Sequence, residues 1–190
     1  MSDPAALRPE QIQALSYIRA QGTEAPLAKI RGRAAETFAA LEALLDGVTA
    51  EQARRRPQPG KWSVHEIVDH LIESDRPGLA ELSDLLDGIS STRGPIPAGL
   101  LSEDPFARPF PQLVATLKSI HRDFLAILDE ADDSIPLDAR APVVMVLKVA
   151  QEDGTHAPIH WNQDFDWKAY ALIVRMHTLE HKHQIERTLA

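Results

Sequence analysis

Arg175-Met176-His177-Thr178-Leu179-Glu180-His181 is the stretch from which the fold can be read. An α-helix turns about 100° per residue, so two histidines four apart stand about 40° from each other on one face. Across the wider segment Asp166 to Leu189, residues Trp167, Tyr170, Ile173, Val174 and Ile185 share the sector of His177 and His181. Lys168, Arg175, Lys182 and Glu186 fall opposite. This pattern predicts an amphipathic last helix whose two imidazoles turn inward. A buried ring nitrogen without a partner costs about 1–3 kcal/mol, so two rings one turn apart call for a shared partner. A metal ion would serve, and so would a core pair bridged by water or a carboxylate. Spacing alone leaves both readings open.

A helix with one inward face needs others to cover it. Leu27, Ile30, Ala34, Phe38, Leu41, Leu44 and Leu45 advance in steps of three and four up to Gly47. A second helix has a full start signal: Ser63 as N-cap with Glu66 three residues on, and Trp62 and Ile67 placed as a hydrophobic staple. Its stripe is Val64, Ile67, Val68, Leu71 and Ile72, and Pro77 predicts a kink or division before Leu79, Leu82, Leu85 and Leu86. Leu113, Leu117, Ile120, Phe124 and Leu128 mark a third long helix. Ile12, Leu15 and Ile18 suggest a short docked helix over residues 9–20, broken by Gly22-Thr23-Glu24.

Residues 48–61, with Pro57, Pro59 and Gly60, and the Gly-, Ser- and Pro-containing residues 88–109 predict connectors. Pro142 to Val149 is β-prone and Glu152-Asp153-Gly154 is a turn signal, consistent with a small hairpin before the last helix. The expected fold is therefore all-α: a four-helix bundle, up-down-down-up or of a similar order, with an extra N-terminal helix and that hairpin. One domain is expected over residues 1–190, with 1–22 as an N-terminal extension and 27–189 as the bundle.

Composition narrows the function. The chain has 190 residues, 44% of them hydrophobic, enough for a sizeable core. Its formal charge is −8 and its longest basic run is Arg54-Arg55-Arg56, which disfavours nucleic acid as a partner. With no cysteine there is neither a disulfide frame nor a thiolate ligand, and any thiol must arrive as a cosubstrate. No apolar run approaches the roughly 18 residues of a membrane span, and residues 1–20 lack a secretory signal, so a cytoplasmic protein is expected.

The remaining histidines sort by geometry. His65 and His70 are five apart, about 140° around the axis, so they cannot face one ion, and His65 is expected to look outward. His65-Glu66-Ile67-Val68-Asp69-His70 thus misses the zinc-protease spacing by one residue. His70 could add a third ligand from a packed neighbouring helix, giving an open divalent site that activates water, polarises a carbonyl or binds a thiol. Glu66, four residues before His70, is a candidate catalytic base, and its capping role explains it equally well. Glu180 and His183 form one Glu-x-x-His unit where a di-iron bundle needs two. His121 lies on the apolar face of the third long helix, as a further ligand or, the favoured reading, a core histidine with a backbone partner. His156 and His160 are expected in a loop, where they could overhang the site. Asp164 and Asp166 suit the positive end of the last helix.

Trp62-Ser63 followed by Glu66, then His70-Leu71, and later His177, His181 and Gln184-Ile185 resemble the DinB/YfiT-like superfamily of metal-binding four-helix bundles. The resemblance runs over about residues 27–189, while the N-terminal helix and the β-prone 142–161 segment depart from the simplest pattern. It implies a divalent ion on His70, His177 and His181, with zinc or nickel foremost and iron or manganese next. It also implies a metal-dependent enzyme on a small-molecule substrate, either a hydrolase or a thiol S-transferase using a low-molecular-weight thiol, often as a homodimer. The alternative is a non-catalytic metal-binding or stress-response bundle.

Overall fold

The computed structural model describes residues 7–150 and 154–190. In chain order it has α1 (Pro9–Ile18), a π-helical turn (Arg19–Thr23), α2 (Leu27–Asp46), α3 (Ala50–Arg54), α4 (Val64–Leu86), α5 (Phe110–Glu130), β1 (Ala141–Ala150), β2 (His156–Phe165) and α6 (Trp167–Leu189). The chain is mostly helical, and β1 and β2 form an antiparallel hairpin pairing Ala141 with Phe165 and Ala150 with His156. The predicted turn residues Glu152 and Asp153 lie outside the described residues.

Two apolar clusters fix how the long helices run. One gathers the start of α2 (Leu27, Ile30), the end of α4 (Leu82, Leu85), the end of α5 (Phe124, Leu128) and the start of α6 (Trp167, Tyr170). The other gathers the end of α2 (Leu41, Leu45), the start of α4 (Val64 to Ile72), the start of α5 (Leu113, Leu117) and Ile185 near the end of α6. Thus α2 and α6 run one way and α4 and α5 the other, in up-down-down-up order, with α4 packed against both α5 and α6. Because α4 and α6 are antiparallel, the first half of α4 meets the second half of α6. That juxtaposition builds the site.

Several local expectations are corrected. Pro77 does not divide α4, which is continuous from Val64 to Leu86. One lost backbone bond is outweighed because the segments on either side of the proline are buried in different clusters. The 48–61 connector contains α3, whose capping box Thr49-x-x-Gln52 is satisfied in both directions. Gly22 does not simply end α1. The chain continues through the π-turn and packs on α6, where a Cβ at Gly22 would stand 2.8 Å from Ala169 Cα. The Thr23 hydroxyl also donates to the α6 N-cap Asp166 at 2.6 Å.

Lys168 is not on a solvent face. It is buried, its Nζ donating to the Ala25 carbonyl at 3.3 Å and pairing with Asp133. Arg175 likewise leans on α2, donating to Thr37 Oγ1 at 2.9 Å. The stretch entering α2 and the turn after α5 meet Lys168, and α2 meets Arg175, on the side of α6 that the sequence wheel leaves to water.

Candidate metal centre

His70 lies two turns into α4, a helix started by the predicted capping box, with Glu66 N–H donating to Ser63 Oγ at 3.3 Å. Burial of Val64, Ile67, Val68, Leu71 and Ile72 then fixes the rotation of α4 and carries His70 inward, 1% exposed. On α6, Asp166 caps the start by accepting from Ala169 N–H at 3.0 Å, and buried Ile185 pins the far end. His177 and His181 therefore face α4.

The three rings converge. His177 Nε2 is 3.0 Å from His70 Nε2 and 3.0 Å from His181 Nε2. All three ligand atoms fall within 4.8 Å of one another, and among the described residues no other group of three or more His, Asp or Glu side chains does so. The outer nitrogens are anchored. His70 Nδ1 donates to the Leu100 carbonyl at 2.7 Å, and His181 Nδ1 to the Gln184 side-chain carbonyl at 2.9 Å. An oxygen that only accepts places the proton on Nδ1, so both Nε2 atoms present a lone pair. His177 Nε2 has at most one proton to offer two such neighbours. The donor set is electron-rich on every side, and a divalent cation with imidazole affinity fits it.

The surroundings hold the His70 and His181 rings neutral, as ligation requires. Burial, reinforced by the facing His177 and His70, pushes the His181 pKa down to about 2. Burial also lowers that of His70, against the upward pull of the Leu100 carbonyl. Asp75, buried on α4, places Oδ1 3.6 Å from His177 Nδ1, within ion-pair reach of the third ring. Trp62 covers one side, its ring centroid 5.0 Å from that of His70 and 6.4 Å from that of His181. The His177 side chain is 31% exposed, which leaves the cluster an open flank.

The other sequence candidates lie elsewhere. Glu66 is buried and its oxygens serve the cap and Arg56: Oε2 accepts from Ser63 N–H at 2.9 Å and from Arg56 Nε at 3.0 Å. Burial pushes its pKa up, but the bonds from Arg56 and Ser63 outweigh that and hold it below the usual carboxylate range. His65 does not look outward. It is fully buried under Phe106 of the loop before α5 and Phe110 at the start of α5, with ring centroids 4.9 and 5.8 Å away. Its nitrogens face the carbonyls of Pro105 and Arg108 without closing a hydrogen bond, and burial lowers its pKa.

His121 is a core histidine, but its partner is a side chain and not the backbone. Nδ1 lies 2.7 Å from Glu42 Oε1 and the ring stacks on Phe38 at 4.0 Å. His156 and His160 are exposed strand residues of β2, outside the histidine cluster, where His160 pairs with Val146. Asp164 is also in β2, and Asp166 alone caps α6. Glu180 and His183 are exposed.

Three contributors were not visible as site residues in the sequence. Trp62 was legible as a staple and as part of the family pattern, but not as a cover of the rings. Asp75 carries no spacing signal, because its partner is on another helix. Leu100 acts through its carbonyl, which every residue has.

Fold and site together describe a four-helix bundle that gathers histidines from two antiparallel helices. The chain belongs to the DinB superfamily, whose family model matches residues 33–184, as Trp62-Ser63, His70 and the His177/His181 pair led one to expect. Among solved structures it is similar to YfiT from Bacillus subtilis, described as a probable metal-dependent hydrolase with an unusual four-helix bundle topology. That likeness covers 98% of this chain and 92% of the other at 17% identity, with a TM-score of 0.54, and shows a shared fold. No curated protein matches the chain. Among the described residues, no helix is long and apolar enough to cross a membrane.

Proposed function

We propose that this chain is a divalent-metal-dependent enzyme acting on a small molecule by hydrolysis, with His70, His177 and His181 as the metal ligands. The observation carrying the proposal is the pair of 3.0 Å Nε2 contacts among rings whose protons are committed to Nδ1 at His70 and His181. Imidazole donors favour zinc or nickel, with iron or manganese as further candidates. Bound there, such an ion supplies Lewis acidity toward a carbonyl and brings the pKa of water toward neutrality.

The chain's own residues prepare that chemistry. Leu100 and Gln184 hold two rings in the ligating tautomer. Asp75 supports the third and balances charge, as outer carboxylates do for ligating histidines. Trp62 excludes water from one side, and the exposed flank at His177 is the approach for substrate. Glu66, committed to Ser63 and Arg56, has no part in the proposed reaction.

The hydrolytic reading draws support from the description of YfiT. A thiol cosubstrate draws none beyond the sequence resemblance. The test is a panel of small esters, amides and lactones offered to metal-loaded and chelated protein. Turnover lost on chelation and restored by the ion is expected. Turnover indifferent to chelation contradicts the proposal, and stoichiometric metal without turnover favours the non-catalytic bundle.

A further inference from the structure

We propose that Asp69 is a positioning residue for the histidine cluster: through Ser102 it holds the Leu100 carbonyl against His70 Nδ1. The inference rests on the metal reading above and extends it to a loop.

Residues 88–109 have no helix or strand of their own, and a carbonyl on such a segment is poorly placed unless anchored. Here the anchor is Asp69, fully buried and next to His70 on α4. Its Oδ2 accepts from Ser102 N–H at 2.8 Å and its Oδ1 from the Ser102 hydroxyl at 2.8 Å. Arg108 adds a bond to Oδ1 at 2.8 Å and reaches Glu73 at 2.9 Å. Three donors thus satisfy a carboxylate whose burial alone would be strongly unfavourable.

Adjacent residues on α4 therefore grip one three-residue stretch: Asp69 takes Ser102 while His70 takes Leu100 at 2.7 Å. His65, Asp69 and Glu73 recur every four residues and define a stripe of α4 given to the loop, with Phe106 on His65 and Arg108 on the two acids. A hydrogen bond at 2.7 Å is spoiled by a slip of about 1 Å. Without its acceptor the His70 ring is free to carry its proton on Nε2, where it blocks ligation. Asp69 thus acts on the site without touching it.

The test uses the full chain with two readouts: the His70 tautomer in metal-free protein, from long-range proton–nitrogen NMR, and the affinity for cobalt(II) ion. Asp69→Ala is expected to move His70 toward the Nε2–H form and to weaken cobalt binding about tenfold to a hundredfold. Asp69→Asn keeps an acceptor for Ser102 N–H and is expected to stay within about threefold of wild type. Glu73→Gln, which loses only a partner of Arg108, should change neither readout. Ser102→Gly removes the hydroxyl and loosens the backbone. It should move both readouts the same way as Asp69→Ala, by about threefold or more in affinity, and decides the matter if Asp69→Ala does not fold.

Lowered melting with the tautomer and the cobalt affinity unchanged makes Asp69 a loop anchor only and overturns the proposal. Wild-type protein that binds no cobalt refutes the metal reading instead, and the tautomer alone then decides the role of Asp69.

Discussion

Removing the titratable ring at His181 should make the metal-free protein more tolerant of acid. In the fold this ring is held neutral, its pKa pushed down to about 2 by burial and by the two facing imidazoles; in the unfolded chain it titrates near 6.5. Below pH 6.5 the unfolded chain takes up a proton that the folded chain refuses. Stability from this group is therefore complete above pH 6.5 and lost as pH falls toward 2.

The limiting slope is about 1.4 kcal/mol per pH unit, which gives roughly 2.7 kcal/mol at pH 4.5. His181 is only partly covered, and solvent screening brings that to about half, near 1.4 kcal/mol. At about 2–4 °C per kcal/mol for a chain of this length, wild type should lose roughly 3–6 °C more than His181→Gln between pH 7.5 and 4.5. The assay is thermal melting of chelator-treated protein across that range. His65, His70 and His121, also lowered by burial, fall alike in both proteins and cancel. Glu66, Asp133 and Glu186 are held below their ordinary values and lose their contribution at more acidic pH. Equal losses in the two proteins, or a larger loss in His181→Gln, would refute the reasoning.

Two glycines should respond oppositely to the same change. Gly22→Ala drives a methyl to 2.8 Å from the α6 backbone and should cost about 1–3 kcal/mol, whereas Gly32→Ala, with nothing within 4 Å, should gain about 1 kcal/mol; urea midpoints moving together would contradict this. Glu66→Ala should cost about 1–2 kcal/mol through loss of the cap and of the Arg56 pair while leaving metal content unchanged. An unchanged melt with turnover abolished would instead make Glu66 catalytic.

The long helices were legible because their apolar spacing is dense: Leu27 to Leu45, Val64 to Leu86, and Leu113 to Leu128 each outline one inward stripe. The histidine pair was legible for the same reason, since four residues is a spacing a helix preserves. His70 needed the family pattern, because no periodicity relates residues on different helices.

What stayed hidden depends on layers added outside the bundle. The stretch entering α2 and the turn at Asp133 close over Lys168, and the loop lying on α4 covers His65. A wheel drawn for one helix against three others predicts solvent at both places. Pro77 does not divide α4 because propensity is local, whereas the apolar clusters on either side of it keep the helix continuous. The Leu100 carbonyl and the Asp69–Ser102 pair have no side-chain pattern to find, being tertiary contacts of an irregular segment.

The most direct test of the central claim is metal content per chain by elemental analysis, for wild type and for His70→Ala, His177→Ala and His181→Ala, after equilibration with zinc or nickel and gel filtration. One divalent ion per wild-type chain, lost in each of the three folded variants, is the predicted result. A wild-type chain that retains no ion, or three variants that retain it as wild type does, would contradict the claim.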